Sequence, residues 1–212
     1  MKIAIIGAGN VGAALAAAST KAGHQVVLAA ADPAHAEQAA AAAGATSAGT
    51  NVEAVQGADV VVLAVPGSAA LVVAAELGRA LDGKVVVDST NPLNDTYTGL
   101  TTTGVSAAEL LQEQVPAAKI VKAFNTIFAG RHTNPTENGE PLDAFLAGDD
   151  SDAKATATAL AESLGYRVID AGGLRMARSL EEMAFLNITL NASNGWPWQS
   201  GWKLVGPTAN AS

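Results

Sequence analysis

Residues 7–12, Gly-Ala-Gly-Asn-Val-Gly, set three glycines at G-x-G-x-x-G spacing between a β-branched run, KIAIIG, and an alanine-rich helical stretch. No other feature constrains the fold as much, because a glycine loop joining a first strand to a first helix is built to receive a pyrophosphate. Gly7 permits the tight turn, Gly9 lets the backbone approach the phosphates, and Gly12 allows close helix–strand contact. Ala8, Asn10 and Val11 complete the loop, and the helix start offers free N–H groups and a partial positive charge. The alternative is a tight turn with no ligand.

The rest of the chain repeats this alternation. Strands are expected over 2–7, 25–30, 59–66, 84–90, 119–126, 143–149 and 167–172, with a weak one at 46–48. Helices are expected over 10–22, 33–43, 68–80, 106–113, 151–164 and 178–191. Runs such as DVVVLAVP and KVVVDST are apolar on both faces, as in a parallel sheet covered on two sides. The implied fold class is α/β: a doubly wound, mostly parallel Rossmann sheet over residues 1–172. A short C-terminal helix-and-tail appendage over 173–212 follows. The polar segment RHTNPTENGEP, 131–141, reads either as a flexible flap or as a solvated connection.

Ligands of such sheets lie outside the carboxyl ends of the strands. Those ends carry Val65-Pro66, Asn91-Pro92-Leu93 and Asn125-Thr126-Ile127. These uncharged groups suit a carboxamide and a heterocycle. No histidine or lysine adjoins Ser89, so a hydrolytic triad is not supported. Turn chemistry is the alternative reading for Asn91 and Asn125. Strand two ends in Ala30-Ala31-Asp32, where an acidic residue would meet a ribose or an arginine a 2′-phosphate. From Ala22 to Gly78 there is no lysine or arginine, and His35 is the one nearby potential cation. Asp32 either meets the ribose or caps the helix after Pro33.

Composition excludes other classes. A net charge of -8 disfavours nucleic acid and anionic membrane surfaces. There is no cysteine, and the three histidines are far apart, so no metal site is expected. The most apolar stretch is broken by Pro66 and Gly67, as in a strand, loop and helix rather than a membrane span. The opening MKIAIIGAGN reads as a strand entering a loop rather than a signal peptide. A cytoplasmic protein with no membrane partner is expected.

With these segments in place, the chain resembles the NADP oxidoreductases dependent on the deazaflavin coenzyme F(420). The same fold resembles the cytosolic domain of six-transmembrane ferric reductases. The similarity runs through GAGNVG, GHQVV, VVLAVP, KVVVDSTNPLN, KAFNTI, AGDD and DAGGLRMARSLEEMAFLNITLNASNGW, nearly the whole chain. The resemblance implies a C-terminal helix and tail folded over the deazaflavin, with Asn194, Gly195 and Trp196 near it. It also implies a Thr in the glycine loop and a Ser-Arg pair after strand two, anchoring a 2′-phosphate. Ala8, Ala30 and Ala31 hold those places here, so NADP is expected with NAD possible, and discrimination between them is expected to be weak. Some members have His where this chain has Asn125, which fits a helper for binding rather than a required acid or base.

The expected activity is hydride transfer between NAD(P)H and a deazaflavin F(420)-type or flavin acceptor. Cofactors carry that chemistry, so no catalytic side chain is expected. The protein must hold the nicotinamide C4 roughly 3–3.5 Å from the acceptor carbon and exclude water. Pro66 and Asn91 would border the nicotinamide; Asn125, Thr126 and Ile127 would floor the acceptor site. All three tryptophans fall in WPWQSGW, residues 196–202. That cluster suits a flat ring, with Trp196 the expected contact, or a homodimer interface. Two rival readings remain: a dinucleotide-binding redox sensor, and an imine or carbonyl reductase. The latter resembles pyrroline-carboxylate reductases, whose long helical dimerisation domain has no counterpart in the roughly 40 residues after the last strand.

Overall fold

The computed structural model describes residues 1–206 and 208. In chain order the elements are β1 (Lys2–Ile6), α1 (Asn10–Lys21), β2 (Gln25–Ala29), α2 (Pro33–Ala43), β3 (Thr46–Ser47), α3 (Asn51–Val55), β4 (Val60–Leu63), α4 (Gly67–Leu77) and β5 (Val85–Asp88). They continue with α5 (Ala107–Gln114), β6 (Lys119–Lys122), β7 (Thr136–Glu137), β8 (Glu140–Pro141), β9 (Asp143–Gly148), α6 (Ser151–Ser163), β10 (Arg167–Gly172) and α7 (Ala177–Asn194).

Eight strands form one sheet in the order β10-β9-β6-β5-β4-β1-β2-β3. Every neighbouring pair is parallel except β6 with β9. This is the mostly parallel α/β sheet expected from the alternation. Side chains alternate across each strand, and both faces are covered. Ile3, Ile5, Leu28 and Val62 join one buried cluster, and Ala4, Ile6, Val61 and Leu63 the other. Helix starts follow local chemistry: Asp32, Thr50, Ser106 and Asp150 each accept backbone N–H groups of the helix they precede. Ser106 and Glu109 complete a reciprocal capping box.

Three features differ from the sequence expectation. The strands at 59–66, 84–90 and 119–126 end earlier, at Leu63, Asp88 and Lys122, because their last residues leave the sheet to form the site. The five-residue α3 was not anticipated; it is too short to show a helical period. The polar segment 131–141 is neither an open flap nor a simple solvated link. Its first two residues, Arg131 and His132, are buried. The Arg131 guanidinium donates to the Thr136 carbonyl, and His132 Nδ1 lies 2.8 Å from the Tyr166 hydroxyl. Beyond them β7 and β8 pair across Asn138-Gly139, both at positive φ, the signature of a two-residue hairpin turn.

Candidate active site

The glycine loop has the geometry its spacing requires. Gly7 takes φ +116, and a Cβ there would run into the Ala64 carbonyl; a Cβ on Gly12 would run into the Gly7 carbonyl. A Cβ on Gly9 would meet no atom within 4 Å, so the space above it is open. No side chain caps α1, which leaves its first N–H groups free for an anion. This corner therefore fits a pyrophosphate. Ala8 is buried, and its carbonyl takes a hydrogen bond from His35 Nε2 at 3.0 Å. Asp32 caps α2, accepting from the N–H groups of Ala34 and His35. Ala30 is half-buried against the core, and Ala31 is exposed beside it.

Two adjoining clefts open at the strand ends. The smaller, about 230 Å³, is lined by Val11, Val65, Pro66, Asn91 and Leu93 among others. The close approach of α4 to Asn91 depends on Gly67, where a Cβ would collide with the Asn91 carbonyl. Pro92 is buried and does not line the cleft; its carbonyl accepts from Thr101. The larger cleft, about 810 Å³, shares Val11, Ser89, Asn91 and Tyr97 with the first. Asn10, Asn125, Thr126 and Ile127 line it from the sheet side, and Phe185, Asn187, Ile188 and Ala192 of α7 from the other. Among the described residues, no charged side chain lines it.

Asn91 and Asn125 form a reciprocal amide pair. Asn91 Nδ2 donates to the Asn125 carbonyl at 2.8 Å, and Asn125 Nδ2 donates to Asn91 Oδ1 at 2.9 Å. Asn125 Nδ2 also donates to the Leu180 carbonyl, tying β5, β6 and α7 together. Asn125 Oδ1 is buried and has no partner among the described residues. A buried acceptor left open beside a cleft suits a ligand N–H. Phe124, just before it, is held at φ +64, a strained conformation for a bulky residue at a site wall.

Beneath the cleft lies an ionic cluster that the sequence reading missed. Lys122 is fully buried and donates to Asp88 Oδ2 at 2.8 Å, the Thr90 carbonyl at 2.6 Å and Glu181 Oε1 at 2.9 Å. Burial pulls the Lys122 ammonium down, but the Asp88 and Glu181 carboxylates outweigh it and hold its pKa above the ordinary lysine value. Burial pushes the Glu181 carboxyl up, against the pull of Lys122. A signal was present: lysine in KIVKAF and aspartate in VVVDST fall at the ends of neighbouring strands, and they pair in register.

The tail differs from expectation at one point. Gly195 ends α7 in the left-handed conformation, and the Trp196 N–H returns to the Asn191 carbonyl. That turn carries Asn194, Gly195 and Trp196 away from the cleft, and none of the three lines it. The chain then reverses, and Trp198, at φ +58, lines the larger cleft with its ring 5.5 Å from Phe128 in a T-shaped contact. Ser200 is pinned by the buried Asn187 and Asn191, while Leu204 bonds Asp143 and Arg167. Of these two indoles, Trp198 lines the cleft and Trp196 does not. Among the described residues no cluster of three potential metal ligands forms, and no helix is long and apolar enough to cross a membrane.

A family model described as NADP oxidoreductase, coenzyme F(420)-dependent, matches residues 2–92. The F(420)-dependent NADP reductase of Methanothermobacter thermautotrophicus is 35% identical over 215 residues, spanning 92% of this chain and 90% of that protein. Its counterpart from Methanothermobacter marburgensis is 32% identical, spanning 92% and 94%. A solved structure from an Arthrobacter species, provisionally assigned as an F(420)-dependent NADP reductase, superposes with a TM-score of 0.87 at 31% identity, covering 97% of this chain and all of that one. The likeness extends beyond the glycine loop through the strand ends to α7, and on it the chain belongs to the F(420)-dependent NADP oxidoreductase family.

Proposed function

We propose that this protein transfers a hydride between NAD(P)H and a deazaflavin of the coenzyme F(420) type. The observation that carries this reading is the pair of joined clefts, one beginning at the glycine loop and the other uncharged and walled by aromatic side chains. When bound, the dinucleotide and the deazaflavin supply the redox chemistry. The protein's residues position and shield. The glycine loop and the start of α1 hold the pyrophosphate. Val65, Pro66 and Asn91 border the nicotinamide. Asn125 offers Oδ1 to a ligand N–H, and its amide pair with Asn91 fixes both strand ends. Thr126 and Ile127 floor the acceptor site, while Trp198 and Phe128 close one end and exclude water.

The same reading treats residues 1–172 as the dinucleotide-binding domain and 173–212 as the covering appendage. It places the enzyme in the cytoplasm, where its dinucleotide is found, and makes it a homodimer. The groove along α7 lined by Met183, Phe185, Leu186 and Thr189, with Arg178 and Glu182 beside them, supports a subunit contact. Anaerobic titration with NADPH and NADH against oxidised deazaflavin, flavin and ferric chelate tests the function. The deazaflavin absorbance should bleach stoichiometrically. Bleaching of flavin or chelate alone would assign a different acceptor.

A further inference from the structure

A dinucleotide seated on the glycine loop brings its adenine ribose to the carboxyl end of β2, where the 2′-substituent is read. In this protein that corner carries negative charge and no cation. Asp32 is exposed there, and its Oδ1 already holds the N–H groups of Ala34 and His35 that would otherwise meet an anion. The His35 ring is committed elsewhere: Ala8 O can only accept, so His35 Nε2 donates to it. In the bend between β3 and α3, a Cβ added at Gly49 would lie 3.2 Å from the Glu53 carboxylate. Ala30 and Ala31 contribute no side-chain donor.

The basic residues that flank this half of the chain sit at the opposite, amino ends of the strands. Lys21 closes α1, Arg79 follows α4 and pairs with Asp82, and Lys84 precedes β5 and donates to the Ala58 carbonyl. Between Ala22 and Gly78 there are acidic side chains and no lysine or arginine. A 2′-phosphate would add between about 1.5 and 2 negative charges beside Asp32. It would find none of the charge-assisted donors that normally hold such a group. A 2′-hydroxyl would instead donate to Asp32 Oδ2, the oxygen the helix cap leaves unused.

We infer that this protein selects a 2′-hydroxyl at the end of β2, so that it binds NAD(H) at least as tightly as NADP(H), with Ala31 and Asp32 setting the preference. The inference rests on the dinucleotide reading proposed above and narrows it. Isothermal titration calorimetry of the native chain with NAD⁺ and NADP⁺, repeated on Ala31→Arg, tests it by binding alone. The native protein should bind NADP⁺ equally within about threefold, or more weakly. Ala31→Arg should tighten NADP⁺ by about tenfold or more while NAD⁺ moves less than about threefold. NADP⁺ binding more than threefold tighter to the native chain overturns the inference, as does an Ala31→Arg variant with unchanged NADP⁺ affinity. If neither dinucleotide binds, the glycine-loop reading falls and this inference falls with it. NADP⁺ binding tightly while NAD⁺ does not leaves the functional reading standing and removes the preference alone.

Discussion

Single side chains carry the most direct tests of the site. Gly9 is the one loop glycine whose added Cβ meets open space, whereas Gly7 and Gly12 are packed against backbone. Gly9→Val should therefore fold normally, with an unchanged circular dichroism melt, yet bind no dinucleotide, because the valine fills the pyrophosphate's place. Native-like affinity in the folded variant would refute the cradle. Trp198 stands edge-on to Phe128 at the cleft wall, so Trp198→Ala should weaken deazaflavin binding by about 1–3 kcal/mol, the scale of a base stacked on an aromatic ring. Trp196→Ala should leave that affinity unchanged. Fluorescence titration of both variants separates the two indoles, and the opposite ranking would return the wall to Trp196. The tryptophan cluster was legible in the sequence. Which indole faces the cleft was not, because it depends on the left-handed turns at Gly195 and Trp198.

Among the elements, the sheet was the most legible. Continuous β-branched runs on a parallel sheet announce themselves, and Asp32 caps α2 just before Pro33, one of the two roles its position offered. The strand ends were harder to read. VVVLAVP and KIVKAFN keep their apolar character past the point where pairing stops, so local pattern could not locate their exit from the sheet. Contacts between distant segments were invisible, above all the cluster in which Lys122 of β6 joins Asp88 of β5 and Glu181 of α7. That cluster makes a prediction about how α7 is held. Lys122→Met leaves two carboxylates buried together without their cation and should cost about 3–5 kcal/mol of stability. Urea denaturation checks this, and a loss below about 1 kcal/mol would show that the carboxylates shed their charge without strain. The hairpin at Asn138-Gly139 carried a turn signal in its own residues, which the expectation of a flap or a solvated link did not use. The burial of Arg131 and His132 just before it was not, since both are polar in a polar segment.

For the molecule as a whole, pH and redox chemistry give independent tests. Burial pushes the His132 imidazole down to about 4. An unfolded histidine titrates near 6.5, so between these values the unfolded chain binds more protons than the folded one. Stability is therefore complete above this window and is lost as pH falls through it, by roughly 3 kcal/mol in total. Glu109 is held down to about 2, first by its hydrogen bond from Arg178, so its contribution is lost only at lower pH, below its ordinary range. His132→Gln should reduce stability at pH 7 but show a smaller further drop at pH 5 than the native protein; equal drops in denaturant midpoint would contradict a buried neutral imidazole. Direct passage of a hydride between two cofactors in the joined clefts is checked by isotope transfer. In a single anaerobic turnover, NADH or NADPH carrying deuterium at both C4 positions is mixed with oxidised deazaflavin F(420) and the enzyme, and the products are weighed by mass spectrometry. One deuterium should appear on the reduced deazaflavin, with none lost to solvent. Reduction without label, or no reduction while both ligands bind, would contradict direct transfer.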